Sequence, residues 1–104
     1  MSREITVVDK SGDPILYCTC EPDGSLEASF EVFGNAGQSD LEIIDVIYPS
    51  GFPKIRESFG FSAEIHILDV IAQISERGEG EKLKDLIRSR TLPGERFSWM
   101  TDRD

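Results

Sequence analysis

The sequence contains few of the side chains on which metal sites and catalytic centres depend. It has two cysteines, Cys18 and Cys20, and a single histidine, His66, among 104 residues. A structural zinc site usually takes four Cys or His ligands, which these three residues cannot supply. In a strand the two cysteines fall on the same face, and a disulfide between them would be strained. We therefore expect no metal and no cofactor, and we interpret the thiols as core residues of a protein from a reducing compartment, the cytoplasm.

Long apolar runs and targeting signals are also missing. No segment approaches the roughly 20 apolar residues that cross a bilayer. Charged Arg3, Glu4 and Asp9 interrupt the N-terminus, where a signal peptide would carry its apolar stretch. Hydrophobic residues make up 38% of the chain and charged residues 30%, a composition too apolar for a disordered protein. These numbers predict one folded domain, residues 1–104, with no membrane partner.

Positive charge is scarce, and one long segment has none. The chain has 20 Asp and Glu against 11 Lys and Arg, a formal net charge of −9. Residues 11–53 contain no Lys, Arg or His but eight acids: Asp13, Glu21, Asp23, Glu27, Glu31, Asp40, Glu42 and Asp45. Such a chain repels nucleic acid, so we expect no nucleic-acid partner. Without local cationic partners, these carboxylates face water, a metal or a basic partner.

The first half of the chain has the alternation and turn signals of strands. Residues 26–33 alternate between apolar and polar, residues 5–9 are a short β-branched run, and residues 15–21 divide between two strand faces. Residues 41–48 are apolar on both faces apart from Glu42 and Asp45, and segments that contain Gly or Pro separate the four runs. Connections of about four to seven residues fit antiparallel hairpins and are too short for parallel crossovers. The pattern therefore predicts a four-stranded antiparallel β-meander.

The second half changes to a helical period. Apolar residues predict a helix over 63–77, with Ser62 as its N-cap and Gly78 at its end, and a second helix over about 80–90. Residues 96–100 alternate and form either a last short strand or a packed tail. The predicted fold is α+β, a four-stranded antiparallel β-meander followed by two α-helices packed on one face.

None of the candidate motifs for chemistry has its usual partners. His66 falls on the polar side of the first predicted helix, near Asp69, with no nucleophile in a recognisable context. The glycine-containing loop 34–39 lacks a Lys and precedes a strand, whereas phosphate loops precede a helix. The bases between 82 and 90 follow acids on the same helix, which is the order that the helix dipole favours. We therefore assign no catalytic residue and expect a protein that is not an enzyme.

The acids of the predicted meander are the candidate partner-binding site. Because neighbouring strands bring their side chains together, the carboxylates can gather on one side of the sheet. The candidate residues are Asp23, Glu27, Glu31, Asp40, Glu42 and Asp45. Two interpretations remain open at this point: a surface for a basic partner, or a solvated face, as in a halophilic chain.

Size, charge and the lack of catalytic groups favour an acidic protein-binding module. We expect an inhibitor of the bacterial immunity or antitoxin type, which neutralises a basic nuclease toxin by blocking its substrate cleft. The alternative is a structural or assembly subunit, such as a phage component, with an apolar contact surface made by Phe52, Phe59, Phe61 and Trp99. An enzyme with carboxylate chemistry is a third hypothesis. The sequence leaves the oligomeric state open.

Overall fold

A computed structural model describes the backbone of residues 3–32 and 40–101, and all structural statements below refer to these residues. The side chains of residues 32, 40 and 99–101 lie outside that description. The strands are β1 (Glu4–Val8), β2 (Pro14–Cys20), β3 (Leu26–Val32), β4 (Asp40–Ile47) and β5 (Gly94–Thr101). A short 3₁₀ turn, Pro49–Gly51, leads into the helices α1 (Phe52–Phe59), α2 (Ile67–Glu76) and α3 (Gly80–Arg88).

The strands form one antiparallel sheet in the order β1-β2-β3-β4-β5. The α+β fold and the four-stranded meander are therefore confirmed. The segment predicted as a strand or a packed tail is a strand that begins two residues earlier, at Gly94, and pairs with β4. The predicted loop 34–39 lies outside the described residues.

Two tight turns set the first hairpins. In the β1–β2 turn, the Oδ1 atom of Asp9 accepts hydrogen bonds from the backbone N–H groups of Ser11 and Asp13, at 2.8 and 3.1 Å. Gly12 supplies the positive φ of +88° that this turn requires. In the β2–β3 turn, Gly24 has a φ of +93° and donates its N–H to the Glu21 carbonyl. These turns follow the sequence signals closely because they depend on local backbone chemistry.

The helices and one face of the sheet enclose the core. Helix α2 packs chiefly on β1, while α3 packs on β2 and beside α2. The fully buried side chains come from the strands and from all three helices: Val7, Leu16, Cys18, Leu26, Ala28, Ile55, Val70, Ile71, Ile74 and Leu83. We call this side of the sheet the helix face.

Helix α2 begins four residues later than its sequence predicts. The prediction of a helix over 63–77 is wrong at its start, because the guanidinium of Arg56 takes the Ile65 carbonyl with two hydrogen bonds of 3.1 and 2.8 Å. That carbonyl would otherwise accept the N–H of Asp69 within the helix. Ser62 instead accepts the N–H of Glu64 inside the preceding turn.

His66 is therefore the N-cap of α2 and does not lie along its polar side. Its Nδ1 atom accepts the backbone N–H of Leu68 at 3.1 Å, which satisfies one of the donors that a helix start leaves without a partner. At the other end, Gly78 adopts a φ of +78° and the Glu79 N–H returns to the Ile74 carbonyl. This is the glycine stop expected from the sequence.

The packing of α2 predicts unequal effects for two substitutions. Ile71→Ala should lower the free energy of unfolding by about 2–5 kcal/mol, because Ile71 is fully buried between helix and sheet. His66→Ala should lower it by about 0.5–1 kcal/mol through loss of the cap, and His66→Asn should restore most of that loss. Urea denaturation measures all three. A larger loss for His66→Ala than for Ile71→Ala would contradict this account of the helix.

Candidate binding surface

The side of the sheet opposite the helices is exposed, and we call it the open face. Alternation along each strand places every second residue there. Tyr17 and Phe97 lie on it with 40% and 46% of their surface exposed. Strand register defines the other members. They are Glu4, Thr6, Thr19, Glu27, Ser29, Glu31, Glu42, Ile44, Val46 and Glu95.

The open face carries carboxylates without a base among the residues that the structure describes. Arg96 is the sole Lys or Arg within the described strands, and it points to the helix face. Arg3, just before β1, pairs with Asp69 of α2 at 2.7 Å. The remaining described bases belong to α1 and α3, to the segments that follow α2 and α3, or, as Lys10, to the β1–β2 turn. The charged side chains of the open face are therefore all acidic among the described residues, whereas residues 49–93, which hold the helices, carry seven acids and seven bases.

Two pairs of like charges lie on or beside the open face. Glu31 and Glu42 are direct cross-strand partners on β3 and β4. Glu27 shares a hydrogen bond with the carboxyl of Glu21, which follows β2. This hydrogen bond, then partial burial and the negative charges of Glu21 and Glu42, raise the pKa of Glu27 above its ordinary value. Like charges placed opposite each other destabilise a sheet, so the fold gains nothing from this arrangement.

Between the carboxylates the open face carries apolar side chains on β4 and β5 and hydroxyl side chains on β1, β2 and β3, and it holds two shallow grooves. One, of about 270 Å³, is lined by Glu21, Glu27, Ile44, Val46 and Phe97. The other, of about 280 Å³, is lined by Glu4, Tyr17, Ser29, Phe30, Glu31 and Glu42. An apolar and aromatic centre with charged groups around it is the usual composition of a protein–protein interface.

The structure brings three of the predicted site residues together and separates the others. Glu27, Glu31 and Glu42 share the open face. Asp23 lies in the β2–β3 turn, where its Oδ1 accepts the Ser25 N–H at 2.9 Å; hydrogen bonds from Ser25 lower the pKa of Asp23 below its ordinary value. Asp40 is the first residue of β4, and its side chain lies outside the described part of the chain.

Asp45 is a correction to the predicted site. It lies on the helix face opposite Ala28, and its side chain is only 7% exposed. Both carboxylate oxygens are taken by Arg96, whose Nε and Nη2 atoms donate at 2.6 and 2.8 Å. Asp45 is therefore unavailable to a partner. Its cationic partner is 51 residues away in the chain, outside the segment 11–53 that has no base, so the ion pair was not visible in the sequence.

Several members of the open face escaped the sequence analysis. Glu4 and Tyr17 reach it because β1 and β2 join the sheet with the same alternation, and Glu95 and Phe97 reach it through β5. The alternation of residues 96–100, which includes Phe97, was visible in the sequence. The position of Glu95 and Phe97 beside β4 was not visible, because β5 pairs with a strand that precedes all three helices in the sequence.

The three described members of the aromatic surface of the alternative hypothesis are buried or partly buried. Phe52 is buried, and Phe59 and Phe61 pack against the core. The guanidinium of Arg77 also lies over the ring of Phe61, 4.4 Å from its centroid. The side chain of Trp99, the fourth member of that surface, lies outside the described residues.

The two cysteines lie on the helix face of β2, as predicted, and neither forms a disulfide. Cys18 is fully buried, and burial, followed by the nearby Cys20 thiol and Glu4, raises the pKa of Cys18 to about 12. Cys20 is half-buried, and burial also raises its pKa. A thiol that stays protonated is a poor nucleophile and a poor metal ligand.

Over residues 3–32 and 40–101, His, Cys, Asp and Glu form no group of three or more that could hold a metal ion. In the same part of the chain, no helix is long and apolar enough to cross a membrane. Comparisons with protein-family models, with curated proteins and with solved structures find no match to this chain. The function has to be argued from the surface itself.

We expect the stability of the β4–β5 pairing to depend strongly on the Asp45–Arg96 ion pair. Asp45→Asn should lower the free energy of unfolding by about 2–4 kcal/mol, less than for a wholly buried pair because the Arg96 side chain is 23% exposed. Adding Arg96→Gln should recover part of the loss, since no unpaired charge then remains. Chemical denaturation of the single and double variants measures the coupling.

The exposed Arg3–Asp69 pair is the control, because its side chains are 52% and 47% exposed. Arg3→Gln should cost less than about 1 kcal/mol. Equal losses for Arg3→Gln and Asp45→Asn would show that burial does not strengthen the β4–β5 pair.

Proposed function

We propose that the protein is a cytoplasmic inhibitor that binds a basic protein through the open face of its sheet. The observation that carries the proposal is the set of carboxylates on and beside this face. Two pairs of them place like charges together, and no Lys or Arg lies among them in the part of the chain that the structure describes. A basic partner would supply the positive charge that the described residues of the open face lack.

The energetic argument concerns where the acids lie rather than how many there are. Solubility is served by mixed charges spread over the whole surface. Setting Glu31 opposite Glu42, and Glu21 beside Glu27, lowers the stability of the sheet without any gain in packing. A surface that is strained in the isolated protein and relieved on association is typical of a binding site.

The size and composition of the open face also fit this proposal. Five strands about 4.8 Å apart, with five to eight residues each at about 3.3 Å per residue, make a face roughly 24 Å across and 17–26 Å along the strands. That extent is compatible with a partner footprint of about 800 Å² of accessible surface, which is usual for stable complexes. Tyr17, Ile44, Val46 and Phe97 supply the apolar centre.

A nuclease is the partner that this charge distribution favours. Enzymes that act on polyanionic nucleic acid carry basic substrate clefts, and an acidic face attracts such a cleft over long distances and blocks it. An inhibitor needs no catalytic group, which agrees with the composition of the chain. The function that follows is neutralisation of a basic nuclease toxin, as an immunity or antitoxin-type protein.

The double variant Glu27→Lys/Glu42→Lys tests this proposal, because it turns both like-charge pairs into opposite-charge pairs. Its free energy of unfolding should rise by about 0.5–2 kcal/mol, while capture of the partner from an extract of the source cells should be lost. Captured protein should be basic, should cleave RNA or DNA, and should be inhibited by the wild-type chain. Its capture should weaken as salt rises to about 0.5 M.

The matched control is Glu57→Lys/Glu64→Lys, which changes the net charge equally at two exposed positions in the helical layer. It should leave capture unchanged. If both double variants lose the same captured proteins, net charge rather than the open face drives association. If neither loses them, the open face is not the binding surface.

One observation favours assembly as a second candidate function. The β1 edge of the sheet is short, has a register shift at Val7/Val8, and donates the Val8 N–H to the Ser75 hydroxyl at 3.0 Å. The opposite edge, β5, has eight residues in unbroken register with β4 and no internal proline. Long regular edges are templates for pairing with another strand.

Light scattering tests this second candidate. If β5 pairs with a second copy, the wild type should become dimeric as its concentration rises. Ser98→Lys, a charge at an exposed position on the edge strand, should keep it monomeric. Ser58→Lys in α1 is the control and should behave as wild type. A wild type that stays monomeric at every concentration rules out assembly through β5.

A further inference from the structure

We infer that the groove lined by Glu21, Glu27, Ile44, Val46 and Phe97 receives one arginine side chain of the basic partner. The inference rests on the proposed function and adds the residue chemistry of its central contact. We call this groove the arginine groove. It is one of the two grooves on the open face, and its walls are the more apolar of the two.

The geometry of the groove combines an apolar wall with an acidic end. Ile44 and Val46 lie on β4, where Ile44 pairs with Phe97 on β5 and Val46 pairs with Glu27 on β3. The Phe97 ring is 46% exposed, the largest exposed fraction among the exposed large hydrophobic side chains that the structure describes. A side chain entering across Phe97 therefore passes over Ile44 and Val46 before it meets the Glu21 and Glu27 carboxyls.

An arginine side chain fits this groove because its apolar stem can lie on the apolar wall while its charged end reaches the carboxyls. Its methylene stem covers apolar area while its charged end stays with polar groups. Its planar guanidinium binds carboxylates with two parallel hydrogen bonds and is weakly hydrated, so it loses little on entering an apolar groove. A lysine ammonium is a compact, strongly hydrated charge. It cannot bind a carboxylate through two parallel hydrogen bonds, and it cannot stack flat on an aromatic ring as a guanidinium does.

The carboxyl pair at the end of the groove also indicates a cationic occupant. In the isolated protein the Glu21 and Glu27 carboxyls lie close together, and they share a hydrogen bond when Glu27 is protonated, which raises the pKa of Glu27. A guanidinium between or beside them would replace that proton and would favour ionisation of Glu27. Binding should therefore strengthen as the pH rises through the titration of Glu27, and the bound cation should lower the Glu27 pKa.

The experiment uses N-acetyl-arginine amide as the probe and N-acetyl-lysine amide as its comparison. Titrations of the whole chain are followed by NMR at the Phe97 ring and the Glu27 carboxyl. We expect saturable shifts at both groups, binding about tenfold tighter for the arginine amide, and a fall in the Glu27 pKa on saturation.

Variants locate the effect within the open face. Glu27→Gln should weaken binding of the arginine amide about tenfold, and Phe97→Ala should weaken it as well. Glu42→Gln removes the same charge outside the arginine groove and should weaken binding less than about twofold. The amide spectrum of each variant reports whether the fold is kept. Equal losses for Glu27→Gln and Glu42→Gln, equal affinity for the two amides, or no saturable shift would each overturn the inference.

The inference and the proposed function fail in different ways. If the captured nuclease survives Glu27→Gln/Phe97→Ala but is lost with Glu42→Lys, the open face binds the partner without an arginine in the groove. If the arginine amide saturates the groove while no basic protein is captured by the wild type, the groove is a real site and the proposed inhibitor function is wrong.

Discussion

Helices α2 and α3 pack on the same face of the sheet, and α1 packs against α2 and joins the same core. This one-sided covering is the constraint on which the rest of the structure depends. It gives the sheet a dry face, where Val7, Leu16, Leu26 and Ile71 are fully buried, and a face that must remain compatible with water. Every strand then has to alternate, because a register shift by one residue would exchange the two faces. Charge follows the same division, with the described bases on the helical side or at its edges and the open face occupied by glutamates.

The last strand completes this arrangement from the far end of the chain. After three helices the chain returns to the sheet at Gly94, and Arg96 forms an ion pair with Asp45. Of the two ion pairs among the described residues, this is the more buried one, because the Asp45 side chain is only 7% exposed. That contact does two things. It neutralises an acid that would otherwise face the core unpaired, and it removes the only described base of the strands from the open face. The open face keeps its uniform charge because this base is held on the other side.

A protein that needed its acids for solubility alone could distribute them among its bases. Here Glu31 pairs with Glu42 across β3 and β4, and Glu21 lies beside Glu27. Four bases of the helical side instead contact backbone carbonyls or aromatic rings: Arg56, Arg77, Lys84 and Arg88. Arg56 and Arg77 brace the α1–α2 connection, and Lys84 and Arg88 lie over the ring of Phe30. These bases therefore make contacts within the helical side and with the covered face of the sheet, and none of them lies on the open face.

The sequence by itself determined the features that depend on neighbouring residues. Alternation and short apolar or β-branched runs identified the strands. Asp9, Gly12 and Gly24 identified the turns, and Gly78 marked the end of α2, because each of these residues acts on the backbone within a few residues of itself. Three features were decided by the tertiary structure. The start of α2 depends on Arg56, which takes a carbonyl nine residues away; Asp45 depends on Arg96, 51 residues away; and the extent of the open face depends on the pairing of β5 with β4. Such contacts leave no periodic trace in the sequence, because the energy that selects them comes from burial and charge pairing between distant segments.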